Sequence, residues 1–83
     1  MSVSVINNQG DHVKLTPATV SSLASLALEA EKPNANWDEI NVKMLHLLEA
    51  DGFEIMKLQP EISYYDSKEG RVITDIRISY TGK

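Results

Sequence analysis

Alternation of apolar and polar residues on both sides of a turn is the feature that most constrains this chain. The stretch ISYYDSKEGRVITDIRISY, residues 62–80, places Lys-Glu-Gly between two such runs. A three-residue hairpin loop over residues 68–70 needs a positive φ at its last position, and Gly70 suits it. The predicted register sets Ser67 opposite Arg71. Its further pairs are Leu58–Tyr80, Glu61–Arg77, Ile62–Ile76, Tyr64–Thr74 and Tyr65–Ile73.

This register gives the hairpin one apolar and one polar face, because neighbouring strand residues point to opposite sides of a sheet. Pro60 cannot donate to a strand ladder, which predicts that its strand is at an edge of the sheet or bends there. The face predicted to enter the core holds Met56, Leu58, Ile62, Tyr64, Val72, Ile76, Ile78 and Tyr80. The face predicted to meet solvent holds Lys57, Gln59, Glu61, Ser63, Asp75, Arg77 and Ser79.

The N-terminal residues repeat the same pattern. Asn-Gln-Gly at 8–10 again ends in glycine, which predicts a second hairpin with Asn7 opposite Asp11. Val5 then meets Val13, and Val3 meets Leu15.

Two helices are predicted between the hairpins. Thr16 and Pro17 form an N-cap followed by proline at the first helical position, and Pro33 ends the helix. Asn36 begins the second helix, with Glu39 completing a capping box, and Gly52 ends it. The two apolar stripes comprise Val20, Leu23, Ala27 and Ala30, then Trp37, Ile40, Met44, Leu47 and Leu48. Trp37 is predicted to anchor the core at the start of its helix.

These elements predict a single α+β domain over residues 1–83, in the order ββααββ. The fold class is a two-layer sandwich, with a mainly antiparallel sheet of about four strands and two helices on one face. Leu28, Val42 and Leu45 fall outside the two helical stripes. They either fill the groove between the helices or form a helix face that meets another protein.

No arrangement of reactive side chains predicts an enzyme. His12 and His46 have no converging partners at metal-ligand spacing, and the serines at 21, 22 and 25 have no paired base. With no cysteine, thiolate metal sites, disulfides and cysteine nucleophiles are excluded. We therefore predict a non-enzymatic protein with no metal and no cofactor.

Composition also narrows the class of partner. The chain has a formal net charge of −4 and only 8 Lys and Arg, which disfavours nucleic acid and anionic membranes. No apolar run approaches the roughly 20 residues that span a bilayer. The first residues lack the pattern of a signal peptide, and we expect a cytoplasmic protein.

Negative charge is concentrated between residues 29 and 54, where seven acidic residues face two lysines. The usual explanation is a solvated helical surface. The alternative is an acidic docking face, with Glu29, Asp38, Glu39 and Glu49 as candidates, that binds a basic protein as an inhibitor or nucleic-acid mimic.

The second of the two adjacent tyrosines raises a different hypothesis. Tyr64 is predicted to enter the core, so Tyr65 must point outward, opposite Ile73. A small apolar centre with a polar rim is typical of protein interfaces. The candidate interface, for another protein or a homodimer, comprises Tyr65, Ile73, Ile6, Asp75 and Arg77. The remaining alternatives are a cross-strand pair in water, and a small-molecule-binding domain or enzyme whose site is completed across a dimer.

Overall fold

A computed structural model describes residues 2–82. The elements are β1 (Ser2–Ile6), α1 (Pro17–Ala30), α2 (Trp37–Ala50), β2 (Ile55–Ser67) and β3 (Gly70–Gly82). The α+β class is confirmed, but the order is βααββ and the sheet has three strands in the order β1-β3-β2. β2 and β3 are antiparallel, whereas β1 runs parallel to β3, with Val3 beside Ile76 and Val5 beside Ile78.

The predicted fourth strand is wrong, although the turn before it is correctly placed. Asn7 donates its N–H to the Asp11 carbonyl at 3.0 Å, and Gly10 has a φ of 85°. Pairing then shrinks to one bridge between Ile6 and His12. Val13 still donates its N–H to the Val5 carbonyl at 2.9 Å, and the chain then leaves the sheet because Thr16 is the N-cap of α1.

The C-terminal hairpin has the predicted register in its first half and a different one near its loop. Glu61–Arg77 and Ile62–Ile76 are opposite each other as expected. The loop, however, has two residues, because Ser67 pairs with Gly70 rather than Arg71. A bulge leaves Thr74 without a partner in β2, and its hydroxyl donates to the Ser63 carbonyl at 3.2 Å. Tyr64 therefore lies opposite Ile73, and Tyr65 opposite Val72.

Both helices begin at the predicted caps. The Thr16 hydroxyl accepts the N–H of Thr19 at 3.4 Å, and the Asn36 side chain accepts the N–H of Glu39 at 3.2 Å. The Thr16 N–H and hydroxyl also donate to the Asp51 carboxylate, each at 3.2 Å. Since Asp51 caps the end of α2, this contact ties the start of α1 to the end of α2.

The core lies between the two helices and one face of the sheet. α1 packs on β1 and β3, and α2 packs on β2. The largest side chains that are fully enclosed are Val5, Leu23, Met44, Leu48, Ile76 and Ile78. Three residues of the C-terminal hairpin that were predicted to be in the core are instead exposed: Met56 lies in a bulge at the start of β2, and Tyr64 and Val72 lie near the loop.

The lengths of the elements explain that exposure. Fourteen residues of helix extend about 21 Å at 1.5 Å per residue. Thirteen residues of strand extend about 43 Å at 3.3 Å per residue, and the longest dimension of the molecule is 42 Å. The connection from Ala50 to Ile55 is short, so β2 runs back along α2. The helix layer therefore ends near Ile62, and the rest of the hairpin projects beyond it.

Gly70 provides a test of the backbone conformation of the loop. Its φ is 122°, and a Cβ built there meets no atom within 4 Å, so the cost of a side chain is one of backbone strain. We expect Gly70→Val to lower the free energy of unfolding by about 1–3 kcal/mol. Glu69→Val, in the same loop at a residue without positive φ, should cost much less. Urea denaturation of both variants measures the difference, and equal losses would contradict this loop geometry.

Glu61 and Arg77 test the register of the first half of the hairpin. Reversing either charge should destabilise the protein, and reversing both should recover about 0.2–1 kcal/mol, because opposed strand charges interact weakly in solvent. A double-mutant cycle from thermal unfolding measures this coupling. The same cycle on Glu49 and Arg77, which lie in different layers, should give none. A coupling of zero for the first pair would count against the register.

Candidate functional site

The part of the hairpin that projects beyond the helices groups several exposed large apolar side chains. We call residues 62–74 the distal hairpin. β1 pairs with β3 only from Asp75 onward, so β1 does not flank the distal hairpin in the described part of the chain. Tyr64, Tyr65 and Val72, all in this segment, are among the exposed large apolar side chains. Both of its faces therefore carry exposed apolar side chains, although Ile62 and Ile73 pack partly buried against the core.

Tyr65 lies on the face opposite the helices, as predicted, but its neighbour differs. It is 54% exposed and pairs with Val72, which is also exposed. Ile73, the expected partner, lies opposite Tyr64 and packs partly buried against the core. The bulge at Thr74 causes this exchange, because it shifts every pair between the bulge and the hairpin loop by one residue. The outward apolar pair is therefore Tyr65 with Val72.

On the side of the distal hairpin that faces the helices, Arg71 organises a small charged cluster. Its guanidinium lies 3.9 Å from the centre of the Tyr64 ring. Its Nε is 3.2 Å from a carboxylate oxygen of Asp66 and 3.6 Å from one of Glu31. The pKa of Arg71 is raised, chiefly by the hydrogen bond to Asp66. Since Glu31 caps α1, this cluster attaches the projecting hairpin to the helix layer.

Trp37 is not the core anchor that its spacing predicts. It lies about two helical turns before Met44 and so shares the core-facing side of α2. It is nevertheless 46% exposed, because it is the first residue of α2 and the core ends before it. A large aromatic side chain therefore stands half exposed where the helix layer stops and the distal hairpin continues.

Two other members of the predicted interface, Asp75 and Arg77, lie on the polar face of the sheet. There they line a shallow depression of about 420 Å³ together with Ser2, Ser4, His12, Glu61 and Ser63. Asp75 accepts a hydrogen bond from the Ser2 hydroxyl. Ile6 is 6% exposed and pairs with Ser79 and His12, so the prediction that it contributes an outward apolar surface is wrong.

The four candidate acidic residues do not form one uniform patch. Glu29 and Glu39 line a depression of about 250 Å³ that also contains Lys32 and Lys43. Lys43 pairs with Glu39 at 3.4 Å. Glu49 is on the last turn of α2, about 15 Å along the helix from Glu39. Lysine charges therefore offset part of the field that the acidic residues create.

The residues outside the helical stripes divide into two kinds. Leu45 packs partly buried against the core, whereas Leu28 and Val42 are exposed on the helices. For Leu28 and Val42, filling a groove between the helices is the wrong explanation. Among residues 2–82, no three possible metal ligands converge, and neither helix is long and apolar enough to cross a membrane.

Comparisons with protein-family models, with curated proteins and with solved structures found no match. Function must therefore be argued from the distal hairpin and the aromatic residues around it. The sequence alone indicated Tyr65, whereas Val72, Tyr64 and Trp37 emerged only once the length of the core was known.

Partial burial of Trp37 has a measurable consequence. We expect Trp37→Ala to lower the free energy of unfolding by about 1–2 kcal/mol, well below the about 3–5 kcal/mol of a fully buried tryptophan. Met44→Ala, on the same side of α2 but fully buried, should cost about 2–5 kcal/mol. In the native protein, the fluorescence emission maximum of Trp37 should lie near the wavelength of a solvated indole. A strongly blue-shifted native spectrum would contradict this placement.

Proposed function

We propose that this chain is a non-enzymatic protein-interaction module that binds another protein, or a second copy of itself, through the distal hairpin. The observation that carries the proposal is the exposure of Tyr64, Tyr65 and Val72 on a segment beyond the helix layer. Aromatic residues supply a disproportionate share of binding energy at protein interfaces. The absence of cysteine fits the reducing cytoplasm, where we place the protein.

The attachment of the distal hairpin supports a binding role. A projecting hairpin alone is marginally stable, and ordering it on binding would reduce affinity. Here Arg71 connects Tyr64, Asp66 and the helix-capping Glu31. These contacts restrict the position of the distal hairpin relative to the helices before a partner arrives.

Charge distinguishes this proposal from the acidic alternative. The distal hairpin carries Asp66, Lys68, Glu69 and Arg71, two charges of each sign, so binding there should tolerate salt. An inhibitor that docks the acidic helical segment on a basic protein would lose affinity steeply as salt rises. The lysines beside Glu29 and Glu39 weaken that alternative. If a small-molecule site is completed across a dimer, a ligand should bind to the dimer and not to the monomer.

The test replaces Tyr65 by Ser and Val72 by Thr in one variant. Both replacements suit an exposed strand, so the circular dichroism spectrum and melting temperature should stay close to those of wild type. We expect association to weaken by about tenfold or more, since losing an aromatic anchor costs upward of about 1.4 kcal/mol. Sedimentation velocity measures self-association, and capture from cell extract with quantitative mass spectrometry measures binding to other proteins.

A matched control removes apolar surface elsewhere. The double variant Leu28→Ser, Val42→Thr changes two exposed apolar residues on the helices and should leave association unchanged. If both double variants weaken association equally, or neither does, the distal hairpin is not the binding surface.

A further inference from the structure

The depression on the polar face of the sheet has the size of a small-molecule site. Its volume is about 420 Å³, and such sites commonly measure about 300–1,000 Å³. We call it the sheet-face depression. Its polar lining comes from all three strands and from the segment after β1: Ser2, Ser4, His12, Glu61, Ser63, Asp75 and Arg77.

Three charged side chains of the sheet-face depression have no ionic partner among residues 2–82. Every ion pair in that range has Lys43 or Arg71 as its cation, so none includes Glu61, Asp75 or Arg77. Asp75 accepts a hydrogen bond from the Ser2 hydroxyl, which leaves other lone pairs of its carboxylate free. All three charges are therefore available to a ligand.

The strand register arranges the residues of this face in rows across the sheet. In order toward the hairpin loop, the rows are Glu61–Arg77–Ser4, Ser63–Asp75–Ser2 and Tyr65–Val72. Alternation directs these side chains away from the helices, and successive rows along β2 are about 6.6 Å apart. Arg77, Asp75 and Tyr65 therefore present a cation, an anion and an aromatic ring in that order along one face.

We propose that the sheet-face depression binds a zwitterionic α-amino acid with a large apolar side chain. The carboxylate of the ligand pairs with the Arg77 guanidinium, whose fork suits two parallel N–H···O bonds. The ammonium group lies between the carboxylates of Asp75 and Glu61, which are diagonal neighbours across the two strands. The apolar side chain covers Tyr65 and Val72. Binding of such a ligand goes beyond the protein interaction proposed above and does not depend on it.

Ligands with a single charge complement this face less well. An anion at Arg77 would also meet the carboxylates of Glu61 and Asp75, whereas a simple cation would leave Arg77 without a partner. An α-amino acid carries both charges on neighbouring groups, with its side chain attached between them. The serine hydroxyls of the depression can donate to its carboxylate or accept from its ammonium group. One small molecule therefore complements all three rows.

The affinity of the site is low because the depression is shallow and its charges are in contact with solvent. An exposed ion pair changes a binding constant by at most about fivefold. At the efficiency of ordinary ligands, a molecule of about 12 non-hydrogen atoms such as phenylalanine binds with a Kd of about 1 mM. Occupancy therefore changes with ligand concentration in the millimolar range.

Four probes that differ by one group test the ligand class on the purified wild-type protein. N-acetylphenylalanine lacks the ammonium of phenylalanine, phenylalaninamide lacks its carboxylate, and glycine lacks its ring. We expect the first two to bind about three- to fivefold more weakly than phenylalanine, and glycine at least about tenfold more weakly. Titration followed by amide NMR shifts measures each Kd, and the largest shifts should be those of Ser63, Asp75 and Arg77.

Two substitutions assign the charges of the ligand to residues. Arg77→Gln should weaken phenylalanine binding about fivefold and leave phenylalaninamide unchanged, because that probe has no carboxylate. Asp75→Asn should weaken phenylalanine similarly and leave N-acetylphenylalanine unchanged. As a control, Lys57→Gln removes a charge from the same face outside the depression and should alter none of these affinities.

Three results would overturn the proposed ligand. They are equal affinities for phenylalanine and its two derivatives, NMR shifts confined to residues outside the face, and an Arg77→Gln variant that binds phenylalanine as tightly as wild type does. Because the test uses amino acids and this protein alone, its failure leaves the protein interaction of the distal hairpin to be decided by its own variants.

Discussion

A strand residue advances about twice as far along its axis as a helix residue, and in this protein β2 and β3 have almost as many residues as α1 and α2. The helices can therefore cover only half of the β2–β3 hairpin. That half is sealed by Leu23, Met44, Leu48, Ile76 and Ile78, and by the hydrogen bonds between Thr16 and Asp51. The other half has to be held by different means, and the Arg71 cluster provides them. The difference in rise per residue between strand and helix thus divides the molecule into a packed body and an exposed distal hairpin.

Local patterns predicted the elements well because their causes are local. Thr16 and Asn36 cap helices through bonds to residues three positions away, and Gly10 and Gly70 adopt positive φ within their own turns. The parallel pairing of β1 with β3 had no such signal, because strand partners far apart in sequence leave no periodicity. No sequence pattern indicated the bulge at Thr74 either. A three-residue and a two-residue loop both accommodate Lys-Glu-Gly, and the choice moved the outward pair from Tyr65–Ile73 to Tyr65–Val72.

At the candidate site, the sequence predicted the direction in which a side chain points better than it predicted how far that side chain is buried. Trp37 shares the core-facing side of α2, and Tyr64 lies on the strand face that Ile62 uses, yet both are about half exposed. Periodicity shows where a side chain points but not whether another layer reaches it. Ile6 makes the opposite case: it alternates toward the polar face and is nevertheless buried. Such residues at the limits of a core can be assigned only when the lengths of all elements are compared.

The parallel strand β1 gives the chain a particular order of assembly. The β2–β3 hairpin and the α1–α2 pair each join neighbours in sequence, and can form as soon as those residues are available. Ser2, by contrast, lies beside Asp75, 73 positions away, and closing so long a loop is entropically costly. On a ribosome, β1 must wait until nearly all of these residues have been made. Until then Val3 and Val5 have no strand beside them, and the central strand β3 is itself an edge. Docking of β1 is therefore the step that removes this temporary edge and completes the sheet.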